Sequence, residues 1–533
     1  MRISTSQYFE TSATGYSKNF SDTAKTQAQI SSGNRIQSAG DDPVGAAKLL
    51  QLQQQSALLT QYSGNMTSVT NSLTQEESVL DSITVALQRA QELTIQAGNG
   101  GLSDPDRTSI ASEIGEIEKN VLGLLNTKDS NGQYMFSGSK TSTPPYVQNS
   151  DGSYTYQGDQ TQLSLQVSDT LQLATNDTGY SILETAVNTS RTQTAMTGPV
   201  DSSGAVVDDG RVTVSDGRLE SLTTYNNAFT AGQPYKLTFT SSTQFTITSN
   251  SGENVTSQVG GNGTFDPKAA DGTTVSLYGV QFDIDVAAKQ GELATDADAN
   301  IAGRSFSLGS KPDSISSTRA ADNTSTAQLT SATVTDEQKY AAGFPAGGAV
   351  IKFTSASDYE IYAQPLSDSS KPIGKGAVNA NSAGGSITAA GVTFSIAGDA
   401  SAGDSFTVNA NSHKNQNVLD TLHQLKAALE LPVTDAKSAL ALKNATDSAL
   451  GNLASANENI DISRGQIGAR LNSLGIQNDE NVSLALANKS TQSAIADTDF
   501  ATASVTLSLQ QTMLQASQLA FAKISQLSLF NKL

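Results

Sequence analysis

The stretch Leu59-Thr-Gln-Tyr62-Ser-Gly-Asn-Met66-Thr-Ser-Val69-Thr-Asn-Ser-Leu73-Thr-Gln-Glu76-Glu-Ser-Val-Leu80-Asp-Ser-Ile83-Thr-Val-Ala-Leu87-Gln-Arg-Ala90-Gln-Glu-Leu93 decides how this chain is built. Its apolar residues return at alternating steps of three and four, and only Glu76 breaks the series. Such spacing leaves one narrow apolar seam on a helix, the pattern of a helix that packs lengthwise against other helices. Just upstream, Asp42 is placed to cap the helix. Pro43 suits its first turn, where the missing N–H is not needed. The series ends at Gly98-Asn99-Gly100-Gly101. A helix from Pro43 to Ala97 runs about 80 Å at roughly 1.5 Å per residue, too long for one compact core.

Outward from this seam, a second helix follows Ser103-Asp104-Pro105, with Ile110, Ile114, Ile117, Val121 and Leu124 on one face. Asn131-Gly132 then turns the chain into short strands marked by Tyr134, Phe136, Tyr154, Tyr156, Leu163, Leu165 and Val167. Helical periodicity returns near Val418. There Leu450, Leu453, Ile460, Ile467, Leu471 and Leu474 form a three–four ladder, with Asn457 and Arg464 on intermediate rungs. Between about Thr189 and Ala410 the chain is rich in Ser, Thr, Gly, Asn and Asp and alternates with period two, which predicts an all-β region.

That region repeats itself. Lys236-Leu-Thr-Phe239 with Phe245-Thr-Ile247 resembles Ile351-Lys-Phe353 with Tyr359-Glu-Ile361, 114 residues on (239 to 353). Gly279-Val280-Gln-Phe282-Asp-Ile284 resembles Gly391-Val392-Thr-Phe394-Ser-Ile396, 112 residues on (279 to 391). Two matches at nearly one spacing argue for a duplicated small β-domain. The predicted fold is α+β: a discontinuous N- and C-terminal helical coiled-coil bundle with inserted, duplicated all-β domains. The expected boundaries are 1–43 and 495–533 for terminal helical segments, 44–188 and 412–494 for the coiled-coil core with its hairpins, 189–303 for the first β-domain and 304–411 for the second. The seam residues are Leu59, Met66, Val69, Leu73, Leu80, Ile83, Leu87, Leu453, Ile460, Ile467 and Leu471.

Composition narrows the function. Of 533 residues only 37% are hydrophobic and 16% charged, so uncharged polar residues dominate, which suits thin, extended units. A net charge of -19 without a basic cluster disfavours nucleic-acid binding. There are no cysteines, so neither disulfides nor thiolate metal sites can form, and two histidines with no tryptophan leave little material for catalysis. No apolar leader and no membrane-length run is visible, which taken alone points to the cytosol; export of an unfolded chain through a dedicated channel needs neither. Asp41-Asp42 reads as capping rather than paired carboxylates. Asp296-Ala-Asp298-Ala-Asn300 opens like a calcium loop but has Ile301 and Ser307 where Gly and an acid are required. Gly260-Gly261-Asn262-Gly263 lacks the Lys of a phosphate loop, and His413 and His423 show no partner set. No catalytic, metal or cofactor residue is assigned.

The tail is different in kind. Leu507, Leu509, Leu514, Leu519, Phe521, Ile524, Leu527, Leu529 and Phe530 crowd a short segment. Burial of one such side chain gains about 1.5–3 kcal/mol, while fixing each residue's backbone costs about 1–2 kcal/mol. A tail with no surface to pack on therefore stays disordered or molten in the monomer and becomes helical in an assembly. Docking of both ends within the chain is the alternative reading. These nine residues are the expected assembly interface.

Ser31-Ser-Gly33-Asn-Arg35-Ile36-Gln-Ser-Ala-Gly-Asp41-Asp42-Pro43 resembles the N-terminal signature of the flagellin-type axial proteins. Arg464-Gly465-Gln-Ile467-Gly468-Ala-Arg470-Leu471, followed by Ala494-Ile495-Ala496-Asp497-Thr-Asp499, is similar to their C-terminal one. The resemblance covers about the first 180 and last 115 residues. Met1-Arg2-Ile3-Ser4-Thr5, Asn99-Gly100-Gly101-Leu102-Ser103-Asp104 and Asn131-Gly132-Gln133-Tyr134-Met135-Phe136 favour the hook–filament junction branch over filament subunits. The resemblance implies a secreted, non-enzymatic part of the extracellular bacterial flagellum. It would form a homo-oligomeric ring between hook-associated protein 1 and flagellin, required for filament attachment and motility. It also implies type III export with a flagellar chaperone on the C-terminal helix, and no insertion into a membrane. A flagellin filament subunit, or a secreted adhesin acting through the β-domains, are the alternatives. The duplicated β centre makes the chain longer than a minimal junction protein.

Overall fold

The computed structural model describes residues 5–149, 152–269, 272–287, 294–320, 322–345, 347–364, 366–367, 370–381 and 384–530. Within these, the side chains of 5, 6, 8, 294–296, 337, 338, 341, 380, 381, 384 and 524–530 are not described. Helices α1 (Thr5–Ser32), α2 (Pro43–Ala97) and α3 (Asp104–Leu125) open the chain. Hairpins β1 (Tyr146–Gln148) with β2 (Tyr154–Tyr156), and β3 (Ser164–Gln166) with β4 (Gln172–Ala174), follow. The first β-domain holds β5 (Thr192–Gly198), β6 (Val212–Val214), β7 (Arg218–Leu219), the helical turns α4 (Leu222–Thr224) and α5 (Thr230–Gly232), β8 (Tyr235–Phe239), β9 (Phe245–Thr248), β10 (Thr273–Leu277), β11 (Val280–Val286), α6 (Ala294–Ile301) and β12 (Ser305–Ser310). The second holds β13 (Ser314–Arg319), β14 (Gln328–Val334), α7 (Glu337–Gly343), β15 (Ala349–Phe353), β16 (Asp358–Ala363), β17 (Gly374–Ala377), β18 (Asn379–Asn381), β19 (Gly384–Ala389), β20 (Val392–Ala397) and β21 (Ser405–Asn411). Helices α8 (Val418–Glu430), α9 (Ala436–Ala496) and α10 (Phe500–Phe530) close it.

The chain divides into two compact units. One comprises residues 1–75, 163–176 and 466–533, the other 76–162 and 177–465. In the second unit Leu80, Ile83 and Leu87 of α2, and Leu453 and Ile460 of α9, are fully buried. Glu76, which breaks the apolar series, is buried as well, and its two carboxylate oxygens accept the Asp177 N–H at 3.1 and 3.3 Å. A buried carboxylate needs such a donor. Helix α3 begins where the Asp106 carboxylate accepts the Ser103 N–H and hydroxyl at 3.2 and 2.6 Å, and it packs along α8. Several residues expected in strands lie outside them. Tyr134 makes an isolated bridge to Lys128, and Phe136 is buried in a turn whose carbonyl accepts the Gly179 N–H at 2.8 Å.

The duplication extends to fine detail. Sheet order β5-β12-β8-β9 in the first domain matches β13-β21-β15-β16, extended by β17, in the second; β6-β11-β10 matches β14-β20-β19, extended by β18. The turns Tyr278-Gly279 (φ 50° and 80°) and Ala390-Gly391 (φ 47° and 80°) link Leu277↔Val280 and Ala389↔Val392 in the same way. Two left-handed residues in a row are what a type I′ two-residue hairpin requires. In each copy the turn glycine's carbonyl accepts the N–H of a helix cap, Ser221 or Asp336, and each cap precedes an aromatic pair: Tyr225–Phe229 or Tyr340–Phe344, at 5.3 and 5.2 Å. Phe239, Phe245, Phe282 and Phe306 fill the first core, and Phe353, Tyr359, Phe394 and Phe406 the second.

One expectation is corrected. The boundary at 303/304 moves to 311–313, because β12 pairs with β5 and β8 and so closes the first domain's sheet. The region 189–410 forms the expected inserted β-domains; the short helices α4 to α7 lie between their strands, and Phe229 between α4 and α5 is a fully buried core residue. Within α6, Asp298 accepts the Ser242 N–H at 2.6 Å, so a carboxylate of the calcium-like run secures a loop.

Candidate assembly surface

The first unit is built around the part of α2 that carries Leu59, Met66, Val69 and Leu73, all buried. Tyr62 donates to Asp169 at 2.9 Å and Asn65 to the Gln166 carbonyl at 2.7 Å, which seats the β3–β4 hairpin on this helix. Along α9 the inward positions fall every seven residues: Ile467, Leu474, Asn481 and Asn488, all buried. Leu471 is half-buried beside them. The change of chemistry halfway along matters. The Asn481 side-chain amide donates to the Leu59 carbonyl at 2.9 Å, and Asn488 and Gln492 donate to the Leu52 carbonyl at 3.0 and 3.1 Å. Asparagine at inner seam positions fixes register but lowers stability relative to an apolar residue.

While the inside of α9 turns polar, large apolar residues of the same stretch lie exposed, among polar ones such as Asp479, Ser483 and Ser490. Ile476, Val482 and Leu486 are 66%, 59% and 69% exposed, with Leu484 also exposed. Val44, Leu50 and Leu58 of α2 are exposed too. Scattered exposed apolar residues are ordinary, but exposed leucine, isoleucine and valine beside a seam lined by asparagine depart from the usual arrangement of a surface helix.

The two signature motifs meet in space. Arg35 donates its backbone N–H to the Ala496 carbonyl at 2.6 Å and its guanidinium to the Ile495 carbonyl at 2.9 Å, while Thr498 N–H donates to the Gly33 carbonyl at 2.9 Å. Gly33 has φ 73°, a left-handed turn that other residues adopt with strain. Asp42 accepts the Gly45 N–H at 2.9 Å as the cap of α2, and Pro43 is its first helical residue. Asp41 accepts from Lys25 at 2.7 Å and from the Ser38 and Gln37 N–H groups; Lys25 foremost holds its carboxyl well below the usual range.

Past this clasp, α1 and α10 pair with each other. Phe521 packs between Phe9 and Tyr16, with ring centroids at 5.2 and 6.2 Å, and Asn19 donates to Ser517 at 2.7 Å. Of the nine expected interface residues, Leu507, Leu514 and Phe521 are half-buried, while Leu509 and Leu519 are exposed. The side chains of Ile524, Leu527, Leu529 and Phe530 lie outside the described residues. The tail therefore has one intramolecular partner, α1, which corrects the premise that it has none. A single partner covers one face only: Phe20, Phe500, Val505 and Met513 remain exposed as well. Sequence reasoning missed Val505, Met513 and the whole outer face of α9. The seven-residue spacing from Ile467 to Asn488 was the signal for the latter.

Among the described residues, no helix is long and apolar enough to cross a membrane, and no group of three or more His, Asp or Glu is placed to hold a metal ion. His423 lies 3.2 Å from Glu118, which accepts the Tyr154 hydroxyl at 2.7 Å, so this histidine has partners that its sequence position did not reveal.

Residues 3–141 match the family model of the bacterial flagellin N-terminal helical region. The chain is 36% identical over 182 residues to flagellar hook-associated protein 3 of Salmonella typhimurium, covering 34% of this chain and 56% of that one. It is 39% identical over 146 residues to flagellar hook-associated protein 3 of Escherichia coli, covering 27% and 46%. The chain thus spans about half the length of the relatives it matches. A solved structure of flagellar hook-associated protein 3 from Legionella pneumophila aligns with 84% of this chain and 98% of its own, at 21% identity and a TM-score of 0.46.

Proposed function

We propose that this chain is a member of the flagellar hook–filament junction protein family, supported by its similarity to the flagellin N-terminal region and to hook-associated protein 3, and a structural adaptor joining hook to filament on the extracellular bacterial flagellum. One observation carries this reading. Helix α9 leaves Ile476, Val482, Leu484 and Leu486 exposed to solvent, while Asn481 and Asn488 face inward. Covering any one of those apolar side chains fully gains about 1.5–3 kcal/mol. Neighbouring copies in a ring, and the proteins above and below it, supply the cover. The expected neighbours are hook-associated protein 1 on one side and flagellin on the other. The role proposed is structural and non-enzymatic.

Export follows the same logic. A chain with outward apolar helices aggregates if it folds before it has neighbours, so passage through the type III apparatus unfolded, with a chaperone on α10, fits its surface. We also propose that α1 and α10 are disordered or molten in the free monomer. Their pairing covers one face of each, and a two-helix contact of that kind is marginal in water.

The test is a full-length chain carrying Val482→Asp with Leu486→Asp, expressed in a strain lacking the wild-type gene. Normal secretion with bare hooks and filaments shed into the medium is expected. Swimming at wild-type level with attached filaments would overturn the reading.

A further inference from the structure

The helical part of the second unit and the two β-domains are joined by three chain crossings that come together at one neck. Residues 188–191 lead out, 311–313 link the two domains, and 412–416 lead back. Asn188 N–H donates to the Lys414 carbonyl at 3.1 Å, Gln416 N–H to the Ala186 carbonyl at 3.1 Å, and Lys311 N–H to the Arg191 carbonyl at 2.6 Å. His413 Nε2 lies 2.9 Å from the Pro312 carbonyl and carries the proton of that contact. A cavity of about 270 Å³ opens between these crossings, α8 and α9.

The neck gathers positive charge in a chain whose net charge is -19. Arg191 is buried, and its guanidinium donates only to the carbonyls of Asn188 and Lys414 while lying over the Tyr225 ring at 6.0 Å. Among the described residues it forms no ion pair. Lys311 reaches into the cavity, donates to Ser190 Oγ at 2.8 Å, and has one carboxylate near it, Asp216, at the long distance of 4.0 Å. That carboxylate is itself engaged, since its other oxygen accepts the Thr194 N–H at 2.8 Å. Burial pushes both cations below their ordinary pKa, as expected where countercharge is short. The remaining wall offers hydroxyls and amides. The Asn444 Oδ1 already accepts the Asp216 N–H at 3.0 Å, so its NH₂ group is left to face a ligand, and Ser448 lies one turn further on.

We infer that this cavity binds one small tetrahedral oxyanion, of the phosphate or sulfate class, held by Lys311 with help from the Asn444 amide and the neighbouring hydroxyls. A space of this size takes such an ion with several waters, given about 30 Å³ per water. A bound anion supplies the missing countercharge and ties together all three crossings, so it stiffens the joint between helices and β-domains. The inference is independent of the assembly role.

The experiment is isothermal titration of the full-length protein with sodium phosphate, sodium sulfate and sodium chloride at matched ionic strength. The two oxyanions are expected to bind saturably at one site and chloride not to. Lys311→Met removes a buried charge without removing volume, so the variant folds. It is expected to lose at least about tenfold in oxyanion affinity, since a charge-assisted hydrogen bond goes. Asp216→Asn keeps the acceptor for Thr194 and removes the competing carboxylate, so binding should tighten. A merely structural role for these residues does not predict opposite signs. Absence of saturable binding by either oxyanion, unchanged affinity in Lys311→Met, or unchanged or weaker affinity in Asp216→Asn would each overturn the site.

Discussion

Phe239 in the first β-domain and Leu486 on α9 are both large apolar side chains, yet one is 1% and the other 69% exposed. The β-domains close their cores with their own strands. Phe239, Phe245, Phe265 and Phe306 surround one another in the first, and Phe353, Tyr359 and Phe406 do so in the second. The lower part of α9 leaves Ile476, Val482 and Leu486 exposed and places Asn481 and Asn488 inward, and α10 leaves Val505, Leu509, Met513 and Leu519 exposed. The contrast separates two uses of hydrophobic surface: the β-domains fold with it, and the terminal helices hold it for a neighbour.

The largest effect expected is in the closed cores. Phe239→Ala or Phe353→Ala should destabilise its domain by about 3–5 kcal/mol, because a cavity is left as well as transfer energy lost. Leu486→Ala should change monomer stability by less than about 0.5 kcal/mol. Thermal unfolding of the purified variants measures both. Equal destabilisation by Leu486→Ala would erase the contrast between the regions.

A middle-sized effect sharpens it. Asn481 is buried, and its Oδ1 lacks a hydrogen-bond partner while its amide serves the Leu59 carbonyl. Asn481→Leu should therefore raise the stability of the helical unit by about 1–2 kcal/mol. Filament attachment should weaken at the same time, as the register that the asparagine fixes is relaxed. Denaturant midpoints and the fraction of hooks bearing filaments report the two halves. A destabilised Asn481→Leu chain would contradict the reading of this seam.

A further effect is one of pH, and it belongs to the second unit. Burial raises the Glu184 carboxyl from 4.5 to about 7, with Asp420 adding to the rise and a Tyr146 hydrogen bond opposing it. The folded form thus holds a proton that the unfolded form releases. The stabilisation is complete below about pH 4.5 and is lost as pH rises to about 7, by up to roughly 2–3 kcal/mol. Carboxyls with depressed pKa, such as Asp159 at about 2, act in the opposite sense, and their contribution disappears only in stronger acid. Glu184→Gln should flatten the stability profile between pH 5 and 7, as followed by urea unfolding. An unchanged slope would remove Glu184 from the account.

Much of this was legible in residue order. The three–four spacing of Leu59 to Leu93 located α2, since a seam of that period has no other regular structure to serve. The paired motifs at 236–247 and 351–361 located the duplicated domains, because alternation with period two is preserved when a domain is copied. The strand β12 was not legible: Ser305-Phe306-Ser307-Leu308 reads equally well as the end of one domain or the start of the next, and only its pairing with β5 and β8 decides. The outer face of α9 was overlooked for a related reason. Its apolar residues fall out of step with the seam, and their meaning depends on which side of the helix Asn481 and Asn488 occupy.

Hydrogen exchange of the full chain, free and then assembled on flagella, tests most directly whether neighbours complete the terminal helices. Amides of α1, α10 and residues 476–490 should exchange fast in the free protein and slowly after assembly, while those of β8, β11, β15 and β20 stay slow throughout. Equal and strong protection of α1 and α10 before assembly would contradict the account.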